Sequence, residues 1–91
     1  MTIEDWRKKI DEVDRQIVRL LNERARYVGE IVKLKHQQGM AVYSPEREEE
    51  VVNNVIAHNS GPLSQDAVRR VFERIIDESR RFEQEVSQMN Y

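Results

Sequence analysis

Five polar side chains interrupt helix faces that are otherwise apolar: Arg24, Lys35, Glu48, Ser79 and Glu83. Arg24 stands in a seam position, between Leu20/Leu21 upstream and Val28/Ile31 downstream. Lys35 follows 11 residues on, three helical turns later and nearly on the same face. Both cations can bend toward the patch over Val28 and Ile31. Glu48 lies four residues before Val52 and seven before Val55, so it shares their face. Ser79 and Glu83 fall four residues after Ile75 and seven after Ile76. A buried charge without a partner costs several kcal/mol. Interruptions spread over separate helices therefore point to one shared polar pocket in a bundle core. Its cations suit a small anionic ligand, and the planar fork of arginine suits a carboxylate. Taken singly, each residue also has a plain structural reading. It can be a helix-edge side chain reaching for solvent. Glu48 can favour the positive end of its helix, or belong with Arg47 to the solvated run from Glu46 to Glu50.

Other chemistries lack their residues. The chain has no cysteine, which excludes disulfides and thiolate metal sites. His36 and His58 are far apart and read as C-terminal-turn residues. Trp6 and Tyr27 read as packing residues. Arg69, Arg70, Arg74, Arg80 and Arg81 alternate with Asp66, Glu73, Asp77 and Glu78, the pattern of a solvated, ion-paired face. No glycine-rich phosphate loop, nucleophile elbow or metal-ligand spacing is present. The 15 basic and 17 acidic residues nearly balance, so neither nucleic acid nor an anionic membrane is expected as a partner. The N-terminus has no basic and then apolar signal segment, and no apolar run approaches the roughly 20 residues that span a bilayer. The expectation is a soluble, cytoplasmic protein.

The elements that must position these residues are helices. Gly39 follows a long periodic segment and reads as a stop. Ser44-Pro45 reads as N-cap and first helical position. Asn59-Ser60-Gly61-Pro62 reads as a loop and Ser64 as the next N-cap. The spacing predicts an all-α chain with helices at about 4–38, 45–58 and 64–88, in a single domain over 1–91. Gly29 reads as tolerated inside the first helix. Val51, Val52, Val55 and Ile56 define the buried face of the second helix. Val68, Val71, Phe72, Ile75, Ile76 and Val86 define that of the third. The first helix carries a heptad-like seam through Ile3, Trp6, Ile10, Val13, Ile17, Leu20, Arg24, Tyr27, Ile31 and Leu34. It spans roughly 50 Å, whereas a compact chain of this length has a radius of gyration of only about 12 Å. The distal seam must therefore be covered, and a second copy packed antiparallel covers it at least cost. An intertwined helical homodimer is expected.

The sequence resembles the all-helical (AroQ-class) chorismate mutases over almost its whole length. The resemblance runs through Trp6-Arg7-Lys8-Lys9-Ile10-Asp11, Val13-Asp14 and Leu20-Leu21-Asn22-Glu23-Arg24. It continues through Ile31-Val32-Lys33-Leu34-Lys35, Val42-Tyr43-Ser44-Pro45-Glu46-Arg47-Glu48 and Ile75-Ile76-Asp77-Glu78-Ser79. It implies a three-helix protomer in an intertwined dimer with two sites, and conversion of chorismate to prephenate on the route to phenylalanine and tyrosine. It implies that Arg7 reaches into the other subunit's site. Consistently, Arg7 lies 17 residues before Arg24, about 25 Å along one helix, too far to share a small ligand within one chain. By the same resemblance Arg7 and Arg24 bind the two carboxylates, and Lys35 contacts the ether oxygen and a carboxylate. Glu48, with the backbone or hydroxyl near Ser44, holds the ring hydroxyl. Arg47 orients that region, Ser79 contacts a carboxylate, and residue 83 hydrogen-bonds the ether oxygen. No metal or cofactor is implied.

The implied reaction is unimolecular and needs no nucleophile or proton transfer, in keeping with the residues present. It needs orientation of the side chain over the ring and preorganised donors where negative charge grows. Two positions depart from the common bacterial pattern. Ser44 stands where an acidic residue is frequent, and Glu83 where glutamine is. An ionised Glu83 would repel the developing oxyanion, so the expectation is a protonated Glu83 and activity favoured on the acid side of neutral. Three alternatives stand beside this reading: an isochorismate pyruvate lyase, a non-catalytic helical regulatory or binding dimer, and a mutase working in complex with another shikimate-pathway enzyme. The short chain, opening on its own methionine, is expected not to be fused to that enzyme.

Overall fold

The computed structural model describes residues 1–89. It contains helices α1 (Ile3–Gln37), α2 (Pro45–Ala57) and α3 (Gln65–Ser87), and no strand among the described residues. The expected boundaries are met to within one residue at each end, because the caps are written locally. Thr2 and Asp5 form a reciprocal capping box at the start of α1, with N–H to oxygen distances of 2.8 and 3.1 Å. Ser44 accepts from the backbone N–H of Arg47 at the start of α2, where Pro45 occupies the first turn. Ser64 accepts from the N–H of Ala67 at 3.0 Å to open α3. Gly39, at φ +66°, turns the chain out of α1 through a left-handed conformation that glycine adopts without steric cost.

Helices α1 and α2 each pack on α3. The core between them is small: Val32 from α1, Val52 from α2, and Ile76 and Val86 from α3. Gly29 is tolerated in mid-helix, as expected. It is buried, and the Phe82 ring of α3 lies 3.7 Å from where its Cβ would stand. All of these contacts engage the C-terminal third of α1 or lie beyond it. The N-terminal part of α1 projects without cover, leaving Ile3, Trp6, Ile10, Val13 and Ile17 exposed. The molecule accordingly measures 55 × 25 × 16 Å with a radius of gyration of 16.3 Å, well beyond the compact value of about 12 Å for this length. Some positions expected on buried faces stand exposed as well, among them Val71, Leu20, Ile31 and Leu34, because a single chain lays nothing over them. Among the described residues, no helix is long and apolar enough to cross a membrane.

Candidate active site

The three helices and the 38–44 connection enclose a cavity of about 250 Å³. Its apolar wall includes Val28 and Val32 of α1, Val51 of α2 and Ile76 of α3. Its polar wall holds Arg24, Lys35, Ser44, Arg47, Glu48, Ser79 and Glu83. The five residues that break the apolar faces thus meet in one place, joined by the two residues of the α2 cap. They meet because α3 packs on both other helices, so that Ser79 and Glu83 face Arg24 and Lys35 on one side and Glu48 on the other. None of the polar residues is fully buried, and the cavity opens to one side of the single chain.

The contacts within the cavity prearrange its donors. The Arg24 guanidinium donates to the Ser79 hydroxyl, linking α1 to α3. Burial holds the Arg24 pKa below the usual arginine range, with Glu83 opposing the shift and Arg47 adding to it. Arginine nevertheless keeps its charge across the physiological range. Lys35 donates from Nζ to the carbonyl of Val42 at 3.0 Å, which ties the 38–44 connection to α1. Arg47 reaches outward to Glu50 at 3.3 Å and leaves its backbone N–H on Ser44. Burial raises the Glu83 carboxyl above the ordinary glutamate range. Lys35 pulls it down, Glu48 pushes it up, and Arg80 and Arg24 pull down more weakly, with burial prevailing. The shift is toward the protonated form.

Arg7 does not line this cavity. It stands exposed near the start of α1, 3.9 Å from Glu4. Tyr27, read as a packing residue, instead lines the cavity with an exposed ring and donates its hydroxyl to Glu23 at 2.8 Å. His36 and His58 sit at the C-terminal ends of α1 and α2 as expected. Among the described residues there is no grouping of His, Cys, Asp and Glu suited to a metal ion.

Sequence reading misses Arg80. The alternation of charges along α3 puts it on a solvated, ion-paired face, a description that fits Arg74 and Arg81, both bridged to Glu78. Arg80 instead clasps both carboxylate oxygens of Glu48, at 3.1 Å from Nε and 2.7 Å from Nη2. Its guanidinium also lies 5.7 Å from the centre of the Tyr43 ring and 3.5 Å from Asp77. A signal is available: residue 80 stands three before Glu83, hence on a shared side of the helix.

Fold and cavity together define an all-helical protein whose cationic and hydroxyl side chains converge on one cavity. The chain belongs to the chorismate mutase type II family, whose model matches residues 6–84. It is 43% identical over 72 residues to the bifunctional chorismate mutase/prephenate dehydratase of Neisseria gonorrhoeae, a match covering 79% of this chain and 19% of that protein. The protein of the same description from Aquifex aeolicus is 33% identical over 78 residues, covering 81% of this chain and 22% of its own length. This chain thus spans about a fifth of the length of these relatives. Among solved structures, a chorismate mutase (form II) from Thermus thermophilus superposes with a TM-score of 0.87 at 40% identity, over 90% of this chain and 93% of that one.

Proposed function

We propose that this protein is a chorismate mutase, a single domain over 1–91 that rearranges chorismate to prephenate in aromatic amino acid biosynthesis. The observation that carries the reading is the convergence of Arg24, Lys35, Ser79 and Glu83 on one cavity, together with Glu48. Arg24 holds one substrate carboxylate and is itself steadied by Ser79. Lys35 and a protonated Glu83 donate to the ether oxygen as the C–O bond breaks. Glu48, beside Ser44 and Arg47, accepts from the ring hydroxyl. A rate gain of order 10⁶ corresponds to roughly 8 kcal/mol, which a few preorganised donors and an enforced folded conformer can supply. No proton need leave the substrate.

Of the other cations on the cavity wall, Lys35 serves the ether oxygen and Arg47 reaches outward to Glu50, so the second carboxylate calls for a further cation. Arg7 of a second copy supplies it in our reading, in an intertwined homodimer that also covers Ile3, Trp6, Ile10, Val13 and Ile17. The reaction is placed in the cytoplasm. The fusion of mutase to prephenate dehydratase in the named relatives suggests another shikimate-pathway enzyme as a companion. The decisive experiment incubates the purified protein with chorismate and identifies the product chemically. Prephenate is expected. Unchanged chorismate, with salicylate formed from isochorismate, would transfer the site to the lyase reaction. Activity on neither compound would leave a helical binding module.

A further inference from the structure

The Glu48 carboxylate is not held by its own helix. Arg80, across the α2/α3 interface, grips both of its oxygens in a side-on pair of hydrogen bonds. The two side chains are partly shielded, at 39% and 25% exposure, so the pair is ordered more firmly than a free surface bridge. Arg80 is in turn flanked by Asp77 on its own helix and by the Tyr43 ring on the 38–44 connection. One guanidinium therefore ties α3 to α2 and to the connection that carries Val42 and Ser44, beside the cavity. A glutamate side chain has three rotatable bonds, and an unheld one near an opening has several solvated rotamers to occupy. Each clasped oxygen still has a lone pair free for a hydroxyl donor.

We propose that Arg80 is a positioning residue of this site, gripping Glu48 so that its carboxylate is prearranged to accept the substrate's ring hydroxyl. This rests on the mutase reading of the cavity. The ring hydroxyl takes no part in bond making or breaking, so its contact is the same in the ground and transition states. Losing it weakens substrate binding and leaves the chemical step nearly untouched.

The test compares steady-state kinetics on chorismate for the wild type, Arg80→Met, Arg80→Lys, Glu48→Gln and the Glu48→Gln/Arg80→Met double variant, with Arg81→Met as a neighbouring control. Arg80→Met should raise KM by about tenfold, the scale of one hydrogen bond to a charged group, with kcat within about twofold. Arg80→Lys should recover part of the loss, since it keeps the charge but not the fork. In the Glu48→Gln background Arg80→Met should add little, because its target is gone. Wild-type KM in Arg80→Met overturns the proposal, as does a full Arg80→Met effect in the Glu48→Gln background. The Nε–H signal of Arg80 in arginine-labelled protein gives a readout independent of turnover. It should exchange slowly with solvent in the wild type and quickly in Glu48→Gln; rapid exchange in both also overturns the proposal. If the wild type makes no prephenate, the mutase reading fails, whereas the grip on Glu48 is still judged by this signal.

Discussion

At the scale of residues, Lys35 and Arg24 carry the largest expectations. Each is a donor prearranged by a contact across the cavity, to Val42 and Ser79 respectively. Removing one such donor typically costs about 10²–10³ in turnover. Lys35→Ala and Arg24→Ala should each lose activity on that scale while keeping wild-type helix content by circular dichroism; wild-type rates in either would refute the assignment. Glu83 is the residue expected to govern the pH response. Its carboxyl faces Lys35 and Arg24 from α1, Glu48 from α2 and Arg80 from α3, and burial sets its pKa above the ordinary range. The donating form is the protonated one, so turnover should decline as pH rises through that raised pKa. Glu83→Gln donates at every pH and should flatten the profile, a result read from kcat/KM against pH. The same shift has a stability sign. The folded state binds this proton more tightly than the unfolded chain, so it loses stability as pH climbs above the unfolded value and the group ionises. Glu83→Gln should therefore melt higher than wild type at neutral pH, a comparison made by calorimetry.

At the scale of elements, two glycines of the α1 region give opposite outcomes for one substitution. Gly29 lies in mid-helix, and an added methyl would meet Phe82 at 3.7 Å, an ordinary van der Waals contact. Gly29→Ala should thus gain helix propensity without a clash and stabilise by about 0.5–1 kcal/mol. Gly39 has open space around it but a φ of +66°. Gly39→Ala should destabilise by about 1 kcal/mol through backbone strain. Urea melts of the two variants check both signs. The strain at Gly39 falls next to the connection that accepts from Lys35 through Val42, so that substitution should lower turnover as well. Much of this was legible in sequence, since stops and caps at Gly39, Ser44-Pro45 and Ser64 act on their immediate neighbours. The burial of Gly29 beside Phe82 was not, because that ring is brought to it only when α1 docks on α3.

At the scale of the whole molecule, the uncovered N-terminal part of α1 is the ground for the proposed homodimer. An apolar seam of this length left in water is a marked interaction surface, and two copies crossing antiparallel cover both seams at once. Such a dimer should sediment as one species at micromolar concentration and melt at a temperature that rises with protein concentration. If Arg7 serves the other copy's cavity, two inactive variants can complement. Arg7→Ala mixed with Lys35→Ala and reassembled should form heterodimers in which one site has both residues intact. With random pairing, about a quarter of wild-type activity should return. No recovery after verified exchange would place Arg7 outside the partner's site.

The sequence by itself determined the helices, their caps and the cationic character of the site, because capping and 3.6-residue periodicity are local and a polar residue on an apolar stripe is visible without coordinates. It also singled out Arg24, Lys35, Glu48, Ser79 and Glu83, each as an unexplained cost of burial. Only the tertiary structure decided how these groups pair. Arg80 looked like one of many alternating charges on α3, and its grip on Glu48 exists only because α2 packs against that side of the helix. The direction of the Glu83 shift was likewise undecidable from spacing, since it is the sum of burial against charges from three helices. Which contacts win in such a sum depends on distances in space, and those are set by how the helices dock.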